Sequence, residues 1–113
     1  MTPAELAATR HLLGLTAEQL GNELGINPRT IRAWESGKYK PSPGPMDALT
    51  AIRAEHDAET DRLTVGAEDG TPIYLPSGPR PAGWYLALAA RVIDRVPDAM
   101  IDWAGPREGL LDR

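Results

Sequence analysis

LTAEQLGNELGINPRTIRAWESGK, residues 15–38, reads as two short helices joined by a tight turn. Thr16 is a good N-cap, and Gln19 three residues later completes a capping box, in which each residue's side chain satisfies a free backbone N–H of the other. Gly25 stands where the first helix should stop, because the left-handed conformation that ends a helix suits glycine best. Asn27 is a strong N-cap for the next helix. Pro28 at the first helical position loses nothing, since that N–H has no helical partner anyway. Gly37 closes the second helix.

The apolar spacing fits these limits. Leu20 and Leu24 are four apart on one face, and Ile31 and Trp34 are three apart on another. With Leu15 and Ile26 they make a core that fixes the angle between the helices. Arg29, Arg32 and Ala33 lie away from that core. A short capped helix that buries one side and shows arginine on the other suits the major groove of double-stranded DNA.

The segment from about Pro3 to Ile52 resembles the Xre/Cro/C1-type repressor domains of bacteria and phages. The resemblance is carried by Gly14-Leu15-Thr16, by Leu24-Gly25-Ile26, and by the run Arg29 to Gly37 with Pro41 following. It implies a lambda-repressor-like bundle of four or five helices whose third helix reads DNA. It also implies a structural ion pair between Arg10 on the first helix and Glu35 at the end of the third. Many relatives carry Gln or Ser where this chain has Pro28 and Arg29, so a target sequence does not transfer.

Each candidate residue has a role that its chemistry suggests. Arg29, near the helix N-terminus, is the first choice for a bidentate contact to guanine O6 and N7. Arg32 reads a base or holds a phosphate; a surface ion pair with a glutamate is the plain alternative for both arginines. Asn27 is first a cap and then a base-edge candidate. Thr30 and Ala33 complete the expected base-contacting set. Lys38, Tyr39 and Lys40 are expected on phosphates, where contacts position the protein without reading sequence.

Charge is unevenly placed. Through Pro45 there are five Arg/Lys and four Asp/Glu, a balance of +1; from Met46 on there are seven and twelve, a balance of −5. The two parts sum to the formal net charge of −4, which speaks against a nonspecific polyanion binder. Apart from Arg10, all positive charge in the first part falls between Arg29 and Lys40. Binding should therefore be specific and salt-sensitive, with few phosphate contacts per subunit.

The 113 residues suffice for one domain, or a small domain with an appendage. There is no cysteine, which excludes disulfides and thiolate metal sites. His11 and His56 stand in no metal-ligand spacing, so neither a metal nor a cofactor is expected. Catalysis is not expected either: there is no phosphate-binding glycine loop, no HExxH and no nucleophile–base set. The N-terminus has no signal-peptide pattern and no stretch is long and apolar enough to span a membrane. A cytoplasmic location is expected.

Around the central motif, Thr2, Pro3 and Glu5 start a first helix reaching about Leu13, with Leu6 and Leu13 inward. Lys38 to Pro45 reads as a rigid loop. Met46 to about Asp61 reads as a fourth helix with Leu49 and Ile52 inward and a solvated acidic face (Glu55, Asp57, Glu59, Asp61). Leu-Thr-Val at 63–65, Asp69-Gly70 and Ile73-Tyr74-Leu75 then suggest a β-hairpin. Trp84 to Val96 reads as a helix with Trp84, Leu88, Val92 and Val96 inward, and Pro97 ends it. Asp98 to Trp103 reads as a short helix or strand, and Gly105 to Arg113 as a tail.

The expected fold class is thus mainly α. Residues 1–60 form the helix-turn-helix domain, and residues 61–113 form a hairpin-plus-helix, α+β dimerisation segment. That second segment holds more apolar side chains than it can hide alone. Ile73, Leu75, Trp84, Leu88 and Val92 are accordingly expected at a homodimer interface. The layout also resembles a group of small regulators that includes anti-CRISPR-associated repressors. The expected function is a sequence-specific transcriptional regulator, a homodimeric repressor on an inverted repeat. The competing reading is an antitoxin-type module that neutralises a toxin or other protein partner and represses its own operon.

Overall fold

The computed structural model describes residues 1–105. Its elements run α1 Pro3–Leu12, α2 Ala17–Leu24, α3 Pro28–Glu35, α4 Pro43–Glu68, β1 Ile73–Leu75, α5 Ala82–Arg95 and β2 Ile101–Trp103. The chain divides into two compact units, Met1–His56 and Asp57–Arg113, with the division inside α4. Apart from Gly105, the tail expected over 105–113 lies outside the described residues. No helix among the described residues is long and apolar enough to cross a membrane.

The first unit is built by its caps. At the start of α1 the backbone N–H groups of Thr2 and Glu5 each donate to the other's side-chain oxygen, and Thr16 and Gln19 do the same at α2. Gly25 ends α2 at φ +67°, where a Cβ would be strained. The Asn27 side chain accepts the Arg29 N–H at 2.8 Å and starts α3. Leu6, Leu13, Leu15, Leu20, Ile31 and Trp34 are buried, joined by Leu49 from α4. Leu24 and Ile26 are only half-buried.

The fourth helix departs from the sequence reading at both ends. Pro43 and Pro45 lie in its first turn, where a missing N–H costs nothing. They start the helix instead of extending the loop before it. At the other end, residues 63–68 are helical, not a strand. Thr60, Thr64 and Ala67 are buried at helical spacing, and the Thr64 hydroxyl donates to the Thr60 carbonyl at 2.7 Å. Burial on one helical face overrides the β-preference of Thr64 and Val65.

Asp69-Gly70 is consequently a helix stop and not a hairpin turn. Gly70 sits at φ +80°. Its N–H reaches the Ala67 carbonyl at 3.0 Å, and the Thr71 N–H reaches that of Gly66 at 2.9 Å, the two bonds of a Schellman cap.

The second unit contains no hairpin among its described residues. β1 pairs in parallel with β2, in the register Ile73↔Ile101, Tyr74↔Asp102 and Leu75↔Trp103. Parallel neighbours need a crossover connection, and α5 supplies it, giving a small β-α-β arrangement. Trp84, Tyr85, Leu88, Ala89 and Val92 are the buried side of α5. Val96, expected inward, is the half-buried C-cap.

The acidic side of α4 is largely taken up by arginine. Asp57 pairs with Arg91 at 2.8 Å, Asp61 pairs with Arg95 at 2.7 Å, and Glu59 pairs with Arg62. Both partners of the first two pairs step by four residues, one helical turn. Two cations on α5 thus meet two carboxylates on α4 in register.

Candidate nucleic-acid interface

The outer side of the first unit is set by how α3 is held. Ile31 and Trp34 turn into the core at 0% and 4% exposure. Asn27, Arg29 and Arg32 are left exposed, while Thr30 and Ala33 are half-buried beside them. Lys38, Tyr39 and Lys40 follow on the exposed loop. The expected base-contacting and phosphate-contacting residues therefore all keep solvent exposure, from the cap of α3 to the loop beyond it.

Two close approaches hold α3 in place. Arg10 donates from Nε and Nη2 to the Glu35 carboxylate, at 2.7 and 2.8 Å. The second approach involves a residue that sequence reasoning passed over. At Gly21 on α2, a Cβ would run into the Ile26 carbonyl oxygen and touch the Pro28 ring. The Ile26 N–H in turn donates to the Gly21 carbonyl at 2.9 Å. The turn between α2 and α3 thus lies directly on the Gly21 backbone, and only glycine leaves room for it. The signal available in the sequence was a glycine inside a helical pattern, which costs stability unless packing requires it.

The electrostatics are more differentiated than the sequence suggests. Arg32 is ion-paired with Glu18 on α2, and both side chains are more than half exposed. The Glu18 carboxyl lies below its ordinary range, first because its own backbone N–H binds it and then through Arg32; Arg10 adds a smaller effect. Arg10 is raised, chiefly by its hydrogen bond to Glu35. Glu35, Arg10, Glu18 and Arg32 thus form an alternating set across α1, α2 and α3. The basic surface narrows to Arg29, Lys38 and Lys40. Arg29 and Lys40 have no ion-pair partner among the described residues, and the Lys38 ammonium sits 5.5 Å from the Tyr39 ring centre.

The five residues expected at a homodimer interface are already buried within the single chain. Ile73, Leu75, Trp84, Leu88 and Val92 are at most 6% exposed in the single chain. They are the core of the second unit, because α5 folds back over the strand pair. Arg80 caps that core with its guanidinium 4.0 Å from the Trp84 ring centre. Among the described residues of this unit, the large apolar side chains left exposed are Val65, Tyr74, Leu86, Ile93 and Met100.

Residues 6–51 match the family model described as Helix-turn-helix. The match takes in most of α1, all of α2 and α3, and the start of α4, and lies within the first unit. No curated protein matches the chain.

Proposed function

From the premise that residues 6–51 are a helix-turn-helix domain of the Xre/Cro/C1 type, the DNA-binding part of a transcription regulator, we propose a specific mode of action. The protein is a repressor that acts in the cytoplasm as a homodimer on an inverted repeat in double-stranded DNA. The observation that carries this reading is the presentation of α3. It is an eight-residue helix with Ile31 and Trp34 locked inward and Asn27, Arg29 and Arg32 outward. Such a helix enters the major groove with its N-terminal residues at base edges. Arg29 is the guanine reader. Lys38 and Lys40 hold phosphate on either side of Tyr39.

A single helix of this kind reads only a few base pairs, so affinity calls for two copies related by a two-fold axis. Residues 57–113 are the pairing segment. Because Ile73, Leu75, Trp84, Leu88 and Val92 are consumed in its core, the pairing surface is assigned to the exposed Tyr74, Leu86, Ile93 and Met100. Half-sites then lie about 10 bp apart or a multiple of that.

Selection of bound sequences from a random duplex pool tests the reading, with the mass of the protein in solution measured beside it. An enriched inverted repeat together with a dimer mass is expected. A folded protein that enriches no motif overturns it, and the antitoxin-type reading would then lead.

A further inference from the structure

We propose that Glu18 is a positioning residue for Arg32, setting which edge of its guanidinium faces DNA and penalising sites that draw it onto phosphate. This rests on the DNA-binding reading above.

The bond runs from Arg32 Nη2 to Glu18 Oε2 and spans 14 residues of sequence, from the first turn of α2 to the second turn of α3. Both side chains lie at the exposed surface, at 56% and 60% exposure. Guanidinium has five N–H donors in a planar fork. Glu18 takes one hydrogen of Nη2, so the other Nη2 hydrogen remains, with its neighbour on Nη1 or Nε, as a fork for a base edge. A long side chain tethered in this way has less freedom to lose on binding than an untethered one, which is how a supporting contact raises selectivity.

The carboxylate also acts directly. If a phosphate captures Arg32, Glu18 stays behind as a bare negative charge beside a polyanion. Arg10, whose charge also acts on Glu18, favours its staying ionised. A site that offers Arg32 a base edge keeps the pair and avoids that repulsion. Repulsion against wrong sites is a recognised source of specificity. Arg29 has no such restraint, so the two arginines of α3 work differently: one free, one held.

The test compares the full-length wild type with Glu18→Gln, Glu18→Asp and Arg32→Ala, on the duplex selected by wild type and on a scrambled duplex, across a salt series. Circular dichroism checks that each variant is folded. Glu18→Gln should bind the scrambled duplex more tightly, on the order of tenfold. Its salt slope there should steepen by about 0.9, one phosphate contact. Affinity for the selected duplex should change less than threefold, within about half of a tenfold step. Reselection with Glu18→Gln should lose the same base preference that Arg32→Ala loses, and Glu18→Asp, which keeps the charge, should retain it. If wild type discriminates and Glu18→Gln matches it in specificity ratio, slope and base preference, the proposal is overturned. If wild type does not discriminate, the sequence-specific reading itself fails and takes this proposal with it.

Discussion

Arg10 on α1 and Glu35 on α3 form a two-pronged ion pair, and a third donor of the same guanidinium, Nη1, reaches the Leu15 carbonyl at 3.1 Å. One side chain thereby ties the first helix to the residue leading into α2 and to the end of α3. The pair is well shielded, at 15% and 12% side-chain exposure. Charge-assisted bonds in that setting contribute more than surface pairs do.

Glu35→Ala should therefore lower stability by about 1.5–3 kcal/mol, the range for hydrogen bonds to charged groups. Denaturant unfolding measures it. Base preference in a selection experiment should stay as in wild type, since Glu35 is half-buried behind the exposed arginines. A variant that keeps its stability and changes its preference would reverse the assignment.

Gly21 and Gly44 offer a matched pair of substitutions. Gly21→Ala drives a methyl against the Ile26 carbonyl, and should cost about 1–3 kcal/mol, as overpacking does. Beyond its chain neighbours a Cβ at Gly44 meets nothing within 4 Å in the first turn of α4, and Gly44→Ala should shift stability by less than about 1 kcal/mol, the gain in helix propensity being offset by the Pro45 ring that follows. Thermal melts of the two variants should move in different directions or by clearly different amounts. Equal shifts would remove the steric argument.

Arg29→Ala and Lys40→Ala should separate reading from positioning. The first should relax base preference at one position of each half-site, with a loss of about 1–3 kcal/mol in discrimination. The second should weaken binding to all duplexes alike and reduce the salt slope by about one. Binding isotherms at several salt concentrations distinguish them, and an unaltered slope in Lys40→Ala removes it from the phosphate contacts.

The two α4–α5 ion pairs should differ in weight. The Arg91 side chain is 18% exposed and that of Arg95 42%. Arg91→Ala should cost about 1–2 kcal/mol, and Arg95→Ala less than about 1 kcal/mol, as exposed pairs do. Chemical denaturation of both variants checks the order.

The lowered Glu18 carboxyl gives a pH signature. Its folded value lies below the unfolded one, so its contribution is present above the ordinary carboxylate range and is lost as pH falls through the folded value. Titration followed by NMR should find Glu18 below an ordinary glutamate in wild type. In Arg32→Ala it should move upward but stay lowered, because the backbone N–H, the larger cause, remains. A return all the way to the ordinary value would make Arg32 the dominant cause instead.

What was legible in the sequence was whatever neighbouring residues settle among themselves. Thr16 with Gln19, Asn27 with Arg29 and Gly25 at its positive φ act within three or so residues. Composition therefore announces the caps and the turn, and the family resemblance added the Arg10–Glu35 pair. Tertiary structure decided the rest. Thr64 and Val65 favour a strand locally, yet burial of Thr60, Thr64 and Ala67 keeps α4 helical to Glu68. Ile73 meets Ile101 in parallel only because α5 returns the chain across its own core. The partners of Glu18, Asp57 and Asp61 depended on which helix faces meet, and an i, i+4 pattern names a face without naming what covers it. Caps are short-range bonds that the chain makes with itself in passing. Strand pairing and interhelical ion pairs exist only after the core has brought distant segments together.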